Sequence, residues 1–521
     1  MASEGSSSLR ILLFPLMAQG HMLPMLDISK LLAARGVRVT ILTTPANAAA
    51  VRPTLDRANA SLPIPISLRI IPFPAEATGL HEGSENASFP PSDDLLPAFL
   101  WAIRSLRRDF EEVLRELLPD CVVSDIFMPW TQAAATELEI PRLIFQGSNF
   151  FFQCMADAAY RHKLTEKEPH SPAAAVLVPG LPHRIEMLGS QLMDPTKMPP
   201  ELAQIMHEIK MAEPKSYGMV VNSFYEMEPE YVEHFQRVVF PIRSWAIGPV
   251  ALCNEDDGEK TERRLTPTFS AVDRGLCLNW LDGKPPRSVV YVCFGTMSRF
   301  TGTQLSELAL GLESSGHPFI WVVGGGGESE SLLPEGYEER TEGRGLIIRG
   351  FAPQIRILNH PSVGGFVTHC GWNSIMEGIS AGLPMATWPL FADQFFNERL
   401  LLDVLKVGLA VGAKEYTMRA EERPVVAAAE VRAAVRGLMG RGGEAEERRR
   451  RAGEMAEKAR RAVEKGGSSY EDLGRLIEEL MRHREEKEME KGRIEMVGAE
   501  KENSLCANES HAVALSEGKV C

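Results

Sequence analysis

Short, continuously apolar segments alternate with longer helix-like ones along most of this chain. Many of the apolar segments are rich in β-branched residues, and such continuous runs are typical of strands buried on both faces of a parallel sheet. In the first half they are Leu9–Phe14, Val37–Leu42, Cys121–Ser124, Arg142–Phe145 and Gly218–Asn222. In the second half they are Ser288–Phe294, Pro318–Val323, Gly345–Ile348, Gly364–Thr368 and Pro384–Trp388. Helical patterns lie between them at Met25–Arg35, Ala98–Leu118, Thr303–Ser314 and Ile375–Ala381. This alternation predicts an α/β fold with doubly wound sheets.

One segment divides the pattern into two halves. Residues 254–268 are rich in charge and nearly free of apolar side chains, so we predict a linker there. We expect an N-terminal domain over 1–253 and a C-terminal domain over 269–455, which face each other across a central cleft. Helices over 456–481 are expected to pack back on the N-terminal domain. Residues 482–521 have no aromatic side chain and many charges, which predicts a disordered tail.

Charge and cysteine content exclude several classes of protein. The chain has 56 Lys and Arg against 70 Asp and Glu, a net charge of −14, which disfavours nucleic acid as a partner. No stretch approaches the roughly 18 uninterrupted apolar residues of a membrane helix. The 8 cysteines are too widely spaced for a CxxC metal site or a dense disulfide framework, so we expect a reducing, cytoplasmic location. Nothing in the sequence demands more than a monomer.

The densest local signal is the segment 351–394. A buried strand, Val363–Thr368, leads through His369 and a glycine to a helix that carries Asn373 and Ser374 near its start. The first turn of a helix presents unpaired N–H groups and partial positive charge, which attract phosphate. The alternative interpretation is structural, because Ser374-x-x-Glu377 is also an ordinary capping box that needs no ligand.

Segment 351–394 closely resembles the signature box of plant UDP-dependent glycosyltransferases that act on small secondary metabolites. The resemblance extends from Ile11 to about Met481, and the opening and closing segments are most similar to the subgroup that glycosylates flavonoids, terpenoids and steroids. It implies the glycosyltransferase-B (GT-B) fold of two Rossmann-like domains, inversion at the anomeric carbon and no metal. No Asp-x-Asp motif is present, which agrees with a metal-free site, and no cofactor is expected beyond the UDP-sugar co-substrate.

The resemblance also assigns roles to residues of the box. Position 351 stacks on uracil and Ala352 contacts the base; Gln354 and Glu377 hold the ribose; His369, Asn373 and Ser374 bind the diphosphate; and Trp372, Asp393 and Gln394 address the sugar. Thr296 matches a family position beside phosphate. The family usually has tryptophan where this chain has Phe351, and the smaller ring predicts modestly weaker base stacking. Gln394 is typical of glucose users, so UDP-glucose is the expected donor.

The acceptor needs a general base, and His21 is the candidate. It follows the first strand directly and therefore lies at a carboxyl end, over the cleft. An imidazole titrates near pH 6.5, which suits it to accept the proton of a phenol or alcohol. Asp125 ends the strand that begins at Cys121. The alternative, structural interpretation of Asp125 is the N-cap of a following helix. The resemblance favours a functional role, because the family pairs a histidine and an aspartate at these positions, and the aspartate orients the ring and stabilises the imidazolium.

Contacts to the acceptor are the least constrained part of the prediction. An apolar acceptor pocket could be lined by aromatic and methionine side chains, although aromatic runs at helical spacing more often belong to the core: Phe89, Phe150, Phe151, Phe152, Met187 and Phe391. Ser148 follows a predicted strand and is a candidate to contact the 6-hydroxyl of the sugar. The run Gly324–Gly327 lacks the Gly-x-Gly-x-x-Gly spacing of a nicotinamide site, so we interpret it as a surface loop.

We therefore predict a metal-independent, inverting UDP-glucosyltransferase that makes the β-O-glucoside of a small, apolar, hydroxylated plant metabolite. Three alternatives remain open: transfer of another sugar (xylose, rhamnose, galactose or glucuronate), extension of a sugar already attached to the acceptor, and a UDP-sugar-binding protein without turnover. A nicotinamide-dependent reductase is disfavoured by the missing glycine fingerprint.

Overall fold

Two parallel β-sheets underlie the alternating pattern of the sequence. The computed structural model describes residues 8–81, 83–87, 95–165, 174–194, 196, 198–240, 242–254, 271–323 and 333–517, without the side chains of 271–274 and 497–517. The predicted linker, apart from Asn254, and the run Gly324–Gly327 lie outside these residues. Asn254 is buried, and its side chain hydrogen bonds with Lys30 and Asp27 of the N-terminal half.

The N-terminal half is built on a seven-stranded sheet in the order β3-β2-β1-β4-β5-β8-β9, in which all neighbours are parallel. Strands β6 and β7 form a separate antiparallel hairpin. The strands are β1 (Arg10–Phe14), β2 (Arg38–Thr43), β3 (Ser67–Ile70), β4 (Cys121–Asp125), β5 (Arg142–Gln146), β6 (Ala175–Val178), β7 (Ile185–Leu188), β8 (Gly218–Val221) and β9 (Arg243–Ala246).

The C-terminal half repeats this topology in a six-stranded parallel sheet with the order β12-β11-β10-β13-β14-β15. Its strands are β10 (Val289–Cys293), β11 (Phe319–Val323), β12 (Gly345–Arg349), β13 (Val363–Thr368), β14 (Met385–Thr387) and β15 (Gly408–Ala410). Central strands such as β10 and β13 are buried at every residue, as their continuous apolar sequences predict. The two sheets confirm the predicted pair of Rossmann-like domains.

Helices cover both faces of each sheet. In the N-terminal half they are α1 (Gln19–Ala34), α2 (Pro45–Asn59), α3 (Ala75–Thr78), α4 (Leu96–Ser105), α5 (Arg107–Leu117), α6 (Thr131–Glu137), α7 (Phe150–Arg161), α8 (Pro200–Ala212) and α9 (Pro229–His234). In the C-terminal half they are α10 (Ala271–Asp282), α11 (Gly302–Ser315), α12 (Tyr337–Arg340), α13 (Gln354–Leu358), α14 (Trp372–Ser380), α15 (Gln394–Arg399), α16 (Ala428–Met439), α17 (Gly443–Val463) and α18 (Ser468–Glu517). One apolar cluster continues from α7 into the second sheet, so the two domains share part of their core.

The last helix returns to the first domain. Leu473, Leu476 and Leu480 of α18 are buried in the core of the seven-stranded sheet, and Asp472 accepts a hydrogen bond from the N–H of Ala246 on β9. The boundary predicted at 481 is absent, because α18 continues through Glu517. Helix rather than disorder therefore spans 482–517, and 518–521 lie outside the described residues.

The composition explains why a segment without a core is helical. Residues 482–517 are rich in Glu, Lys, Arg, Met and Ala, which have high helix propensity whether or not they are buried. The first part of the segment is also anchored, since Lys487 donates a 2.7 Å hydrogen bond to the carbonyl of Glu139. Arg484 lies 3.6 Å from the carboxylate of Asp120. No helix within the described part of the chain is both long and apolar enough to cross a membrane.

Candidate active site

The strand order of each sheet reverses once, between β1 and β4 in the first sheet and between β10 and β13 in the second. Open parallel sheets bind ligands in the crevice at such a reversal. His21 follows β1 and Asp125 ends β4, whereas Thr296 follows β10 and His369 follows β13. The topology therefore explains why these residues, which are distant in sequence, gather around one cleft.

His21 and Asp125 form a hydrogen-bonded pair. His21 lies in the first turn of α1, and its Nδ1 is 2.7 Å from Oδ2 of Asp125. The histidine side chain is 22% exposed and the aspartate side chain is fully buried. Oδ1 of Asp125 accepts a 3.1 Å hydrogen bond from the N–H of Phe127. The proposed N-cap role of Asp125 is wrong, because the next helix begins only at Thr131.

The electrostatics of the pair favour a protonated ring. Burial alone would lower the pKa of His21, but the charge and hydrogen bond of Asp125, together with the more distant Asp393, raise it above its ordinary value of 6.5. The pair can therefore accept a proton and stabilise the resulting imidazolium, while Nε2 is the nitrogen left for a substrate.

Arg142 supports the pair from behind and was not among the site residues predicted from the sequence. Its side chain is buried, and it donates hydrogen bonds to Oγ of Ser124 at 2.8 Å, Oγ of Ser216 at 2.9 Å and the carbonyl of Asp125 at 3.2 Å. Burial lowers the pKa of Arg142 to about 10, although Asp125 and Glu213 oppose that shift. The only signal in the sequence was a charged residue at the start of an apolar run.

The opposite wall of the cleft is the loop between β13 and α14. The N-cap of α14 is Gly371, so Asn373 and Ser374 lie inside the first turn, and the predicted Ser374–Glu377 capping box does not form. The first-turn N–H groups of this nine-residue helix therefore face the cleft without a side-chain cap. Cys370, just before them, has a left-handed backbone with φ 65°.

His369 occupies a slot between two glycines. A Cβ on Gly295 would lie 2.8 Å from its Nε2, and one on Gly371 would overlap the same atom. Its Nδ1 is buried and has no hydrogen-bond partner among the described residues. Burial lowers the pKa of His369 to about 4, so the ring is neutral near pH 7. A neutral imidazole in this position can donate one hydrogen bond without carrying charge.

The side chains of Gln354 and Glu377 are hydrogen-bonded to each other, as expected of two residues that contact the same ribose. Nε2 of Gln354 donates to Oε2 of Glu377 at 2.7 Å and lies 3.2 Å from Oγ of Ser374. The hydroxyl of Tyr291 donates to Oε1 of Gln354 at 3.2 Å. The hydrogen bonds hold the predicted ribose contacts in one cluster at the start of α13 and along α14.

One cavity of about 290 Å³ connects these elements. Every predicted catalytic and UDP-sugar-binding residue of the box and of the first domain except Asp125 and Ser148 lines it, and Asp125 lies directly behind His21. The predicted lining residues are His21, Thr296, Phe351, Ala352, Gln354, His369, Trp372, Asn373, Ser374, Glu377, Asp393 and Gln394. The cavity brings the imidazole of one domain and the predicted nucleotide cradle of the other together.

Several predicted ligand residues also connect the two domains. Nδ2 of Asn373 donates to the carbonyl of Gly20 at 2.6 Å, and the indole N–H of Trp372 donates to the carbonyl of Asn222 at 2.8 Å. Oγ of Ser148 lies 2.5 Å from Oδ2 of Asp393. Because its indole N–H is used in this way, Trp372 can donate to a sugar only through its backbone N–H.

Most of the candidate acceptor residues lie in the apolar core, which was the alternative interpretation of these side chains. Phe150, Phe151 and Met187 are buried in the shared apolar core and do not line the cavity. Phe152 packs against Phe396, with ring centroids 5.8 Å apart. Of this set, Phe391 lines the cavity, and Phe89 lies outside the described residues. Aromatic side chains next to a strand end are consistent with either location, so the sequence could not separate them.

Ser298 is a further cavity residue that sequence reasoning missed. Its Oγ is buried without a hydrogen-bond partner in the described part of the chain, and it lies in the loop that also carries Thr296. A buried hydroxyl that faces a cavity is a natural donor to an oxyanion. Its position two residues beyond Thr296 was the available signal.

Comparison with known proteins gives the same assignment over most of the chain. The family model "Glycosyltransferase, N-terminal domain" matches residues 7–252, and the model "UDP-glucoronosyl and UDP-glucosyl transferase" matches residues 279–430. Scopoletin glucosyltransferase of Nicotiana tabacum is 46% identical over 477 residues, which cover 91% of this chain and 98% of that protein.

Solved structures with bound ligands share the fold. UGT73P12 of Glycyrrhiza uralensis, complexed with glycyrrhetinic acid 3-O-monoglucuronide, is 39% identical with a TM-score of 0.87, covering 95% of this chain and 100% of that one. UGT71G1 of Medicago truncatula, complexed with UDP-glucose, is 27% identical with a TM-score of 0.76, covering 91% and 98%. The chain therefore belongs to the family of UDP-dependent glycosyltransferases, and it has their GT-B fold.

Proposed function

We propose that this protein is an inverting, UDP-glucose-dependent O-glucosyltransferase of a hydroxylated plant small molecule. The observation that carries the proposal is the hydrogen-bonded His21–Asp125 pair on one wall of a cavity whose other wall is the start of α14. A base on one side and an anion-binding helix start on the other are the two parts that transfer from a nucleotide sugar needs.

The reaction follows from this arrangement. Nε2 of His21 takes the proton of the acceptor hydroxyl while that oxygen attacks C1 of the sugar. The new O–C1 bond forms as the bond between C1 and the diphosphate oxygen breaks, and attack from the opposite face inverts C1. Asp125 keeps Nδ1 protonated and stabilises the imidazolium. The electron pair of the broken bond leaves with UDP.

The charge that develops on UDP is met by the protein itself. The first-turn N–H groups of α14, the neutral imidazole of His369 and the hydroxyls of Thr296 and Ser374 surround the predicted diphosphate position. We therefore infer that transfer needs no metal. Chelation with EDTA should leave the rate unchanged, and a rate that Mg²⁺ restores after chelation would contradict this inference.

Glucose and a phenolic acceptor are supported by different observations. Gln394 closes the box as in glucose users, and its Oε1 accepts the N–H groups of Leu390 and Phe391 at 2.9 and 3.1 Å, which fixes the amide beside the cavity. A protein named for glucosylation of scopoletin is 46% identical to this chain. Flavonoid, terpenoid and steroid alcohols remain within the proposed acceptor class.

A second candidate function is the extension of an existing sugar. The relative from Glycyrrhiza uralensis was crystallised with a monoglucuronide, which is itself a glycoside. This alternative keeps the same fold, base and donor site and changes only the acceptor.

One assay separates these candidates. The purified protein is incubated with UDP-glucose, UDP-xylose, UDP-rhamnose, UDP-galactose or UDP-glucuronate and a panel containing a hydroxycoumarin, a flavonol, a triterpenoid and a triterpenoid monoglucuronide. Products are identified by mass spectrometry. We expect hexose addition from UDP-glucose to an aglycone; a product formed only from the monoglucuronide would establish chain extension instead. UDP binding without any product would favour a non-catalytic binding protein.

We also propose that the protein works as a monomer in the cytoplasm. Among the cysteine side chains that the structure describes there is no disulfide, and five of these side chains are buried, which suits a reducing compartment. Sedimentation at micromolar concentration and imaging of a fluorescent fusion test these two points.

A further inference from the structure

Asn397 on α15 lies where three parts of the cleft meet. Its side chain is fully buried. Nδ2 donates to Oδ2 of Asp393 at 2.9 Å and to the carbonyl of Cys370 at 3.0 Å, and Oδ1 accepts Nδ2 of Asn149 at 2.8 Å. Both donors and the acceptor of this amide are therefore used.

The three partners belong to different functional elements. Asp393 is a predicted sugar ligand. Cys370 lies between His369 and the start of α14 and has a left-handed backbone. Asn149 is the fully buried N-cap of α7 in the N-terminal domain, where its own side chain accepts the N–H of Phe152. The amide of Asn397 thus contacts all three.

We propose that Asn397 is a positioning residue that fixes the carboxylate of Asp393 for the donor sugar and makes this orientation depend on the N-terminal domain. This inference rests on the proposed function, since it assumes that Asp393 contacts the sugar.

The geometry explains how such positioning works. Two hydrogen bonds, from Asn397 and from Ser148, end on Oδ2 of Asp393, and neither uses Oδ1. A carboxylate held through one oxygen by donors from both domains has a restricted rotamer. The Asn149–Asn397 pair is fully buried, so neither amide can turn without leaving a buried polar group unsatisfied. The orientation of Asp393 is therefore set only when both domains are in place.

The test is a double-mutant cycle of Asn397→Ala and Asp393→Ala, read by KM for UDP-glucose and by the Kd of UDP, which lacks the sugar. We expect Asn397→Ala to raise KM for UDP-glucose about tenfold with a much smaller change in the Kd of UDP. In the Asp393→Ala background the same substitution should have little further effect, because Asn397 acts through that carboxylate.

Gln191→Ala is the matched control. Gln191 is also a buried amide that joins the two domains, through a 3.1 Å hydrogen bond from Nε2 to the carbonyl of Ala413, but it does not contact Asp393. Its effect on KM should be small and additive with Asp393→Ala. Asn149→Asp is a second variant, since it keeps the helix cap while placing an oxygen against Oδ1 of Asn397. It should reproduce the loss seen with Asn397→Ala.

The outcomes are distinguishable. Additive effects of Asn397→Ala and Asp393→Ala, or an equal loss of UDP and UDP-glucose affinity in Asn397→Ala, would overturn the positioning role. If Asp393→Ala itself left KM for UDP-glucose unchanged, the sugar contact in the proposed function would be wrong instead.

Discussion

His21 and His369 line the same cavity from opposite domains, yet their surroundings give them opposite properties. His21 has a buried carboxylate on Nδ1, and its pKa is raised. His369 has two glycines against its ring and no described partner on Nδ1, and its pKa is lowered to about 4. Burial lowers the pKa of both rings, so the carboxylates beside His21, chiefly Asp125, decide the direction of the shift.

This difference separates the two halves of the reaction. A base must gain a proton and hold it briefly, which the Asp125 partner of His21 allows. A residue that binds diphosphate near pH 7 should donate a hydrogen bond without changing its protonation state. Burial keeps His369 neutral and therefore allows this. Residue type alone would not distinguish these roles.

The largest effect is expected from removing the base. His21→Ala should lower kcat by about 10³-fold, because general-base catalysis contributes about 10²–10⁴-fold, and it should leave the Kd of UDP unchanged. Steady-state kinetics and UDP titration measure the two quantities. His360→Ala, at a histidine that pairs with Asp282 outside the cleft, is the control and should change neither. Unchanged turnover in His21→Ala would remove the base assignment.

Removing the carboxylate should make His21 resemble His369. For the native protein, kcat/KM should fall as pH decreases through a pKa above 6.5, since the base acts in its neutral form. In Asp125→Asn, burial dominates, so this acidic limb should move below 6.5, and the plateau rate should drop by about 10²-fold because the imidazolium is no longer stabilised. A pH–rate profile from 5 to 9 records both effects. An acidic limb that does not move would contradict the electrostatic origin of the shift.

A smaller effect should follow at the other histidine. His369→Ala should weaken UDP binding by about 10-fold, which is the value of one hydrogen bond to a charged group. His369→Gln keeps a neutral N–H donor and should recover part of that affinity. Titrations at pH 6 and pH 8 should agree for the native protein, because His369 stays neutral over this range. If Gln were no better than Ala and native binding weakened steeply above pH 6, the ring would be acting as a cation.

The smallest effects should come from glycines that touch the two rings. A Cβ on Gly147 would lie 3.1 Å from Cε1 of His21, so Gly147→Ala should lower kcat by only about two- to threefold. A Cβ on Gly371 would overlap Nε2 of His369, so Gly371→Ala should raise the Kd of UDP by about fivefold with less effect on kcat. Neither glycine has a positive φ, so neither change introduces backbone strain. Exchange of these two phenotypes would contradict the assignment of roles to the two walls.

Much of the fold was readable from the sequence because its central strands are continuously apolar. β1, β4, β5, β10 and β13 were each predicted within a residue or two. The edge strand Ser67–Ile70 was missed because none of its residues is buried, and the hairpin β6–β7 because its short strands alternate between buried and exposed residues. Neither leaves the continuous apolar signal of a central strand.

The residues of the site likewise fall into those that the sequence reveals and those that only the fold reveals. Residues that lie in the box or at strand ends could be identified, and the family resemblance supplied the pairing of His21 with Asp125, since sheet order is not visible in a single sequence. The sequence did not reveal three other residues, because their roles depend on tertiary contacts. Arg142 contacts the end of β4, Ser298 lines the cavity and Asn397 contacts the other domain. The acceptor side could not be assigned, because aromatic residues beside strand ends serve equally well as packing.

Because α18 packs against the first domain, it covers one edge of the seven-stranded sheet. β9 is the outermost strand there, and a bare strand margin is a template on which other chains can polymerise. Asp472 occupies one of its amides, and Leu473, Leu476 and Leu480 are buried in the core beneath it. A chain that ends before residue 468 would expose both the edge of β9 and the apolar core that α18 covers. Such a chain should aggregate on expression before any loss of catalytic rate could be measured.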